Sequence, residues 1–451
     1  MNSIRFKVLS TQILERAMYD MLNISMDRIV IRLLMVMVLL LATSTLQAQK
    51  KIKLTLKKGD SNTPAGELYG DLACKGHAES QYFLGMCYGN GEMGLERDTL
   101  EALKWITLSA ENQYADAAWT LAKAYEKGQW MEQDSLLALE WTQKSAGYGV
   151  VEAQYAWARH LALNDTTNFA EAVEWYRKAA EENHGLAQLE LAKCYAEGKV
   201  VEQNDETAVL WLTKAAEDSI PEAQYLLGLA YTDGKGVKAD LQKAANYYQG
   251  AAEAGHCEAQ YNLATFYFYG KGVPKSCEEA KKWARMAAEQ GDADAQNFLG
   301  VCYTISQCGR PNMKEAEKWF ALSAEQNHVK GMYNEALCLM GVQGVKPNKK
   351  RAIELFTMSA DMGNVDAQNK LASLYLLSEG VERDYDLAVK YATMSAEQGD
   401  PDGLYMLASC YLGGYGVKKG VLKAIELFQE AAKKGHAGAK EALKELGQKV
   451  N

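Results

Sequence analysis

A small residue returns at a fixed interval along almost the whole chain. It falls at Ser80, Ala117, Ala153, Ala187, Ala223, Ala259, Ala295, Gly331, Ala367, Gly403 and Ala439, in steps of 37, 36 and 34 and then 36 seven times. Each opens a block of one kind, such as EAQYNLATFY ending at Tyr267 or DAQNFLGVCY ending at Tyr303. A chain of 451 residues exceeds what one hydrophobic core can hold together. A constant period of this length marks instead an array whose units each pack on their neighbours.

A second block keeps the same period and reads A-x-x-W-x-x-x-A/S-A. Its aromatic slot holds Trp105, Trp141, Trp175, Trp211, Tyr247, Trp283, Trp319 and Tyr391, with Leu355 and Leu427 in the remaining two. Apolar and small residues recur at i, i+3/i+4 and i+7/i+8 in both blocks, which is the period of a helix. The pattern predicts two antiparallel helices per repeat, A then B. Residues 65–76 match a B helix alone and residues 436–443 an A helix alone. Ten full pairs are therefore expected between two half-repeats that cover the apolar ends of the stack.

The pattern A-x-Y-x-L-G-x-x-Y…G-x-G-V…A-x-x-W-x-x-x-A-A-E-x-G resembles the Sel-one-like repeat (SLR) family, a relative of the tetratricopeptide repeats. The resemblance runs over residues 65–447. It implies an all-α, right-handed αα-superhelical solenoid of about ten two-helix SLR repeats with terminal half-repeats, used as a protein-interaction scaffold. Some bacterial members of the family act in the cell envelope. One secreted, cysteine-rich branch is linked to binding or hydrolysis of β-lactams. That branch implies, as an alternative, a hydrolase directed at cell-wall material or β-lactams. Its regular cysteine pairing within each repeat is not found here.

Residues 1–48 read as a secretory signal peptide, with Met26 as the alternative true start. Arg28 and Arg32 precede ten apolar residues, Leu33 to Ala42, and Ala48 is a small residue suited to cleavage. The apolar run is shorter than the roughly 20 residues of a membrane span, so no stable membrane insertion is expected after cleavage. This predicts an exported protein of the periplasm or cell envelope, or a secreted one. Residues 49–64 (QKKIKLTLKKGDSNTP) read as a loose basic lead-in and residues 448–451 as a tail. The net charge of -9 supplies no basic stripe, which argues against a nucleic-acid partner.

Asp233-Gly234-Lys235-Gly236-Val237 looks at first like a phosphate cradle. A phosphate loop needs G-x-x-x-x-G-K-[ST] between a strand and a helix, whereas here a helix precedes and Gly236 follows the lysine. The loop also recurs as YGKGV, VQGV, SEGV and GYGV. It reads as a stop after each A helix, the glycine taking the left-handed conformation and the valine filling the gap between helices. Five cysteines, Cys87, Cys194, Cys302, Cys338 and Cys410, share one slot that holds alanine in other repeats, as expected for free thiols in a core. Cys302 with Cys308 and Cys257 with Cys277 remain open as disulfide pairs. His77, His184, His256, His328 and His436 share a slot at the start of helix A, where Asp or Asn stands in other repeats, and suit helix caps. No metal site, cofactor site or nucleophile–base set stands out.

With the small residue as position zero, positions +1, +4, +5 and +8 of helix A face one side and +3 and +6 the opposite one, at about 100° per residue. The latter row holds Phe83, Met86, Leu226, Leu229, Phe298, Val301 and Met406. It is expected to line a groove that takes a protein or peptide segment. Trp119, Trp130 and Trp157 stand outside the B-helix slot near the shortened third repeat. They form a second candidate surface, for a peptide, a glycan or peptidoglycan. The sequence thus points to an exported, non-catalytic scaffold or adaptor.

Overall fold

The computed structural model describes residues 54–164, 168–379 and 381–448. The expected signal segment, residues 49–53 and the last three residues lie outside them. Among the described residues there are 22 α-helices and no strands. A lone B helix, Asp71–Cys74 entered through a π-helical turn at Gly66–Gly70, comes first. Ten A–B pairs follow, from Ala78–Asn90 with Thr99–Glu111 to Pro401–Gly413 with Val421–Lys433. A lone A helix, Ala437–Glu445, closes the series. The all-α repeat architecture, its ten pairs and both half-repeats are as the period predicts.

The chain divides into two compact units, residues 1–153 and 154–451. In the first unit residues 54–64, the described part of the lead-in, are docked, not loose as expected. Leu54 and Leu56 pack on the cluster around Tyr88 and Trp105. Asp60 accepts a hydrogen bond from the Tyr88 hydroxyl at 2.6 Å, and Lys57 pairs with Asp98. The reason is the half-repeat itself. A lone B helix has no preceding A helix, so the lead-in supplies the missing apolar cover. Gly66 and Gly70 permit the approach: a side chain there would meet the Asp60 carbonyl oxygen at 1.9 Å and Leu56 at 2.4 Å.

In the second unit the A and B helices pack pairwise. Position +4 of helix A is a core slot, held by Leu227, Leu263, Leu299 and Leu371, all fully buried. The tryptophan slot is not the main wedge. In several repeats the next residue goes deeper, as Tyr248, Phe320 and Phe428 show. It fits because position +5 of the partner A helix is small: a methyl at Gly228 would stand 2.5 Å from Tyr248, and one at Gly300 2.5 Å from Phe320. Trp175 and Trp211 are only half buried, their exposed faces covered by Lys178 at 3.8 Å and Lys214 at 4.2 Å.

A ladder of glutamines at +1 ties repeats together. Gln296 donates to the Ala288 carbonyl at 3.1 Å and accepts from Gln326 at 2.9 Å. Gln260 and Gln368 do the same with Gln290 and Gln398. Both ends of a buried amide are thus satisfied, which a core position requires.

The DGKGV loop is a helix stop. Gly234 takes φ 71° immediately after the helix Pro221–Asp233, and its N–H donates to the Ala230 carbonyl. Gly236 also has φ 71°, and a side chain there would lie 2.2 Å from the Asp205 carbonyl oxygen. Lys235 pairs with Asp205 at 3.4 Å, so its charge is turned to the neighbouring repeat. The five histidines cap A helices as expected, each Nδ1 accepting a backbone N–H three residues on.

The five core-slot cysteines are buried free thiols, as expected. Neither open pairing forms. Cys277 bonds to Cys308 instead, with Cα atoms 5.1 Å apart. The irregular loop after Ala293–Thr304 folds into a turn at Ser306–Cys308, which carries Cys308 back to the start of the preceding B helix, Cys277–Glu289.

Candidate partner-binding groove

The outer face of the A helices carries more than the +3 and +6 rows. Positions −1 and +2 project near 260° and 200° on the same helical wheel, about 100° per residue, and so share that face. Three clefts open along it in the second unit. One of about 300 Å³ is lined by Tyr155, Arg159, Glu190 and Lys193 among others. One of about 280 Å³ includes Leu226, Leu229 and Lys193, and one of about 390 Å³ includes Asp366, Tyr405 and Met406.

The predicted groove residues divide. Leu226, Leu229 and Met406 line clefts and are half buried. Phe83 is 37% exposed in the first unit and stacks on Tyr69 at 5.5 Å. Met86 is half buried in an apolar cluster with Trp119 and Trp130. Val301 packs beside Phe320 and Cys338. Phe298 is buried, a correction to the expected groove position. Its neighbour at +2 is the short Asn297, and its ring turns onto Phe268 at 5.3 Å and Tyr261 at 5.9 Å.

The three tryptophans do not form one exposed platform. Trp119 and Trp130 share the cluster of the first unit, Trp130 against Gly89. Trp157, in the second unit, is buried at 8% exposure. It occupies the +4 slot that holds leucine in most repeats, so its burial follows from the helical register.

The feature missing from the sequence reading is the +2 row, Tyr82, Tyr155, Tyr225, Tyr261, Tyr333 and Tyr405. Tyr155 stacks on His184 at 4.5 Å, Tyr225 on His256 at 4.6 Å and Tyr405 on His436 at 4.4 Å. The recurrence of tyrosine two residues after the small residue was the available signal. Its partner lies one repeat on, which spacing alone does not reveal.

The charges of the face are partly self-paired. Lys193 meets Glu222 at 3.1 Å and Glu190 at 3.4 Å. Burial works against its charge, yet the two carboxylates outweigh that and raise its pKa. Burial pushes the Cys302 thiol up to about 12 and those of Cys194, Cys338 and Cys410 up to about 11. A thiol so held stays protonated near neutrality and is a poor nucleophile. Among the described residues, no three His, Cys, Asp or Glu side chains gather as a metal site, and no helix is long and apolar enough to cross a membrane.

Stacked helix pairs with a grooved A face define a helical-repeat scaffold. Ten matches to the Sel1 repeat model tile the chain from residue 78 to residue 436. The chain belongs to the Sel1 repeat family. A crystal structure of a protective antigen from uropathogenic Escherichia coli, displaying an SLR fold, is 30% identical with TM-score 0.73, covering 85% of this chain and 84% of that one. A Sel1 repeat protein from Oxalobacter formigenes is 28% identical with TM-score 0.56, covering 68% and 90%. Among curated proteins, chitin synthase regulatory factor 3 of Schizosaccharomyces pombe is 31% identical over 139 residues, 30% of this chain and 15% of that protein. Chitin synthase regulatory factor 2 of the same yeast is 32% identical over 168 residues, 34% and 33%. The chain thus spans a third or less of those two relatives. Their naming as fungal regulators of chitin synthase overturns the expectation of an exported, periplasmic or secreted protein, and that expectation is dropped.

Proposed function

We propose that this protein is a non-catalytic scaffold or adaptor that holds a protein segment along the outer face of its A helices. The observation that carries the reading is the presence of clefts on that face, one lined by Leu226 and Leu229 of a single A helix and another by Met406 of a later one. Half-buried apolar side chains beside paired and unpaired charges are the chemistry of a peptide groove. The naming of the fungal relatives as regulatory factors supports a regulator over a catalyst. The protonated core thiols argue in the same direction, since none is poised as a nucleophile.

The test is capture. Full-length protein carrying Leu226→Ala, Leu229→Ala and Met406→Ala together is compared with the parent in crosslinking and affinity capture from its own cells. Loss of a specific captured protein, with an unchanged helical circular-dichroism spectrum, is the expected result. Undiminished capture by the triple variant overturns the groove.

A further inference from the structure

Three successive +2 positions hold Tyr333, Asn369 and Tyr405. The short Asn369 leaves one ring out of the tyrosine row. At that gap lies the cleft of about 390 Å³, lined by both tyrosines together with Asp366, Asn369 and Asp402. Two other A helices of the second unit's full repeats also lack the tyrosine, with different results. Beside Asn297 the ring of Phe298 is buried against Tyr261 and Phe268. Beside Leu189 a cleft is present, but Lys193 already pairs there with Glu190 and Glu222.

The groups around Asn369 are mainly acceptors. Its Nδ2 donates to Asp400 Oδ2 at 2.8 Å. A carboxylate only accepts, so this bond fixes which way the amide is turned. Oδ1 is then a buried acceptor with no hydrogen-bond partner. Asp402 accepts from His436 at 3.2 Å yet keeps its side chain 66% exposed. Asp366 is exposed and has no ion pair among the described residues. Lys370 is the one ammonium in the lining, against two carboxylates. Acids in the first turn of a helix favour its dipole whether or not a ligand comes, so Asp366 and Asp402 alone indicate nothing. The unsatisfied amide oxygen and the paired tyrosine faces are not explained that way.

We infer that this cleft seats a lysine or arginine side chain of a basic partner segment. The inference rests on the groove reading above and specifies its occupant. A guanidinium supplies donors in a planar fork, suited to the Asn369 oxygen and the two carboxylates. Tyr333 and Tyr405 offer faces that attract a cation. The net charge of -9 steers a basic segment toward the protein.

The test uses the full chain and fluorescence anisotropy. One labelled peptide alternates arginine with alanine and serine, and its control carries glutamate in place of arginine. The arginine peptide is expected to bind, with about a tenfold loss in Asp366→Asn/Asp402→Asn, the size of one charge-assisted contact. Asn369→Tyr restores the missing ring and is expected to abolish binding while the thermal melt stays cooperative. Lys370→Met removes the competing ammonium and is expected to tighten binding. Equal or better binding of the glutamate peptide overturns the inference, as does an arginine-peptide affinity unchanged in both acid-to-amide and Asn369→Tyr variants. If the arginine peptide fails while the Leu226/Leu229/Met406 variant still loses its captured protein, the groove stands and the cationic occupant is wrong. If that variant also captures normally, both readings fall.

Discussion

Tyr405 lies nearly flat on His436, with ring centroids 4.4 Å apart and planes 21° from parallel. His436 does two further things. Its Nδ1 accepts the Ala439 N–H at 3.0 Å and so starts the last A helix, while Nε2 reaches Asp402 at 3.2 Å in the repeat before. A cap that is local in sequence is therefore also the joint between repeats. His436→Ala is expected to lower stability by about 0.5–2 kcal/mol through the lost cap. A double-mutant cycle with Tyr405→Ala, read by urea unfolding, is expected to return a coupling of about 0.5–1.5 kcal/mol. Additivity of the two substitutions would show the stack to be incidental.

Gly236 of DGKGV differs from the loop glycine Gly255 in a measurable way. Gly236→Ala must both hold φ 71° and place a methyl 2.2 Å from the Asp205 carbonyl. Gly255→Ala has φ +93° but nothing within 4 Å. The second is expected to cost roughly 1–2 kcal/mol, the strain of the left-handed region alone, and the first distinctly more. Thermal melts of the two variants decide, and equal shifts would contradict the close approach.

At Gln188 the glutamine ladder has a broken rung that can be mended. Gln188 donates to the Ala180 carbonyl at 3.1 Å, but its Oε1 is buried without a partner. In intact rungs a Gln thirty residues on donates to that oxygen, as Gln398 does to Gln368 at 2.9 Å. Here the position is Asp218, whose carboxylate only accepts hydrogen bonds. Asp218→Gln is expected to stabilise by about 0.5–1.5 kcal/mol. Chemical denaturation checks it, and a destabilised variant would refute the account.

Glu335 stands at position +4, where other repeats bury leucine, and is itself 8% exposed. Burial raises its pKa above the ordinary value of 4.5, with Arg351 pulling partly the other way. A carboxyl whose folded pKa is raised favours the fold while protonated. That contribution is full below about 4.5 and is lost as pH rises through the folded value, so Glu335 costs stability at neutral pH. Glu335→Leu is expected to raise stability at pH 7 by about 1–3 kcal/mol, and by less near pH 4. Calorimetry at both pH values tests the sign.

The Cys277–Cys308 bond holds the irregular loop to the neighbouring repeat. Cys308→Ser is expected to release hydrogen-exchange protection around Ser306–Cys308, leaving the remote helix Pro401–Gly413 unchanged, because repeats lean mainly on their neighbours. Loss of protection throughout the second unit would show the bond to be a global constraint.

Much of the fold was legible because it is periodic. The small residue at zero, leucine at +4 and the capping histidines each satisfy a local rule of helix geometry, and repetition makes each rule visible several times over. The candidate site was legible only in part. Leu226, Leu229 and Met406 were placed on the groove by helical angle alone, and they line clefts. Phe298 was placed there by the same angle, but its ring is drawn into neighbouring aromatics, an event of packing. Trp157 was read as a surface tryptophan, although its +4 register already assigned it to the core.

What the sequence determined by itself is the repeat unit: two helices, their stops and caps, and the faces that must be buried. Those follow from residue type at fixed offsets along one helix. What only the tertiary structure decided is every relationship that crosses repeats. Cys277 found Cys308 because a turn carries it back. Tyrosine found histidine because adjacent A helices lie side by side, and the cleft at Asn369 opened because two rings flank a gap. Contacts between residues about thirty apart depend on how successive pairs stack, and stacking is set by the shapes of side chains that meet only after the chain has folded.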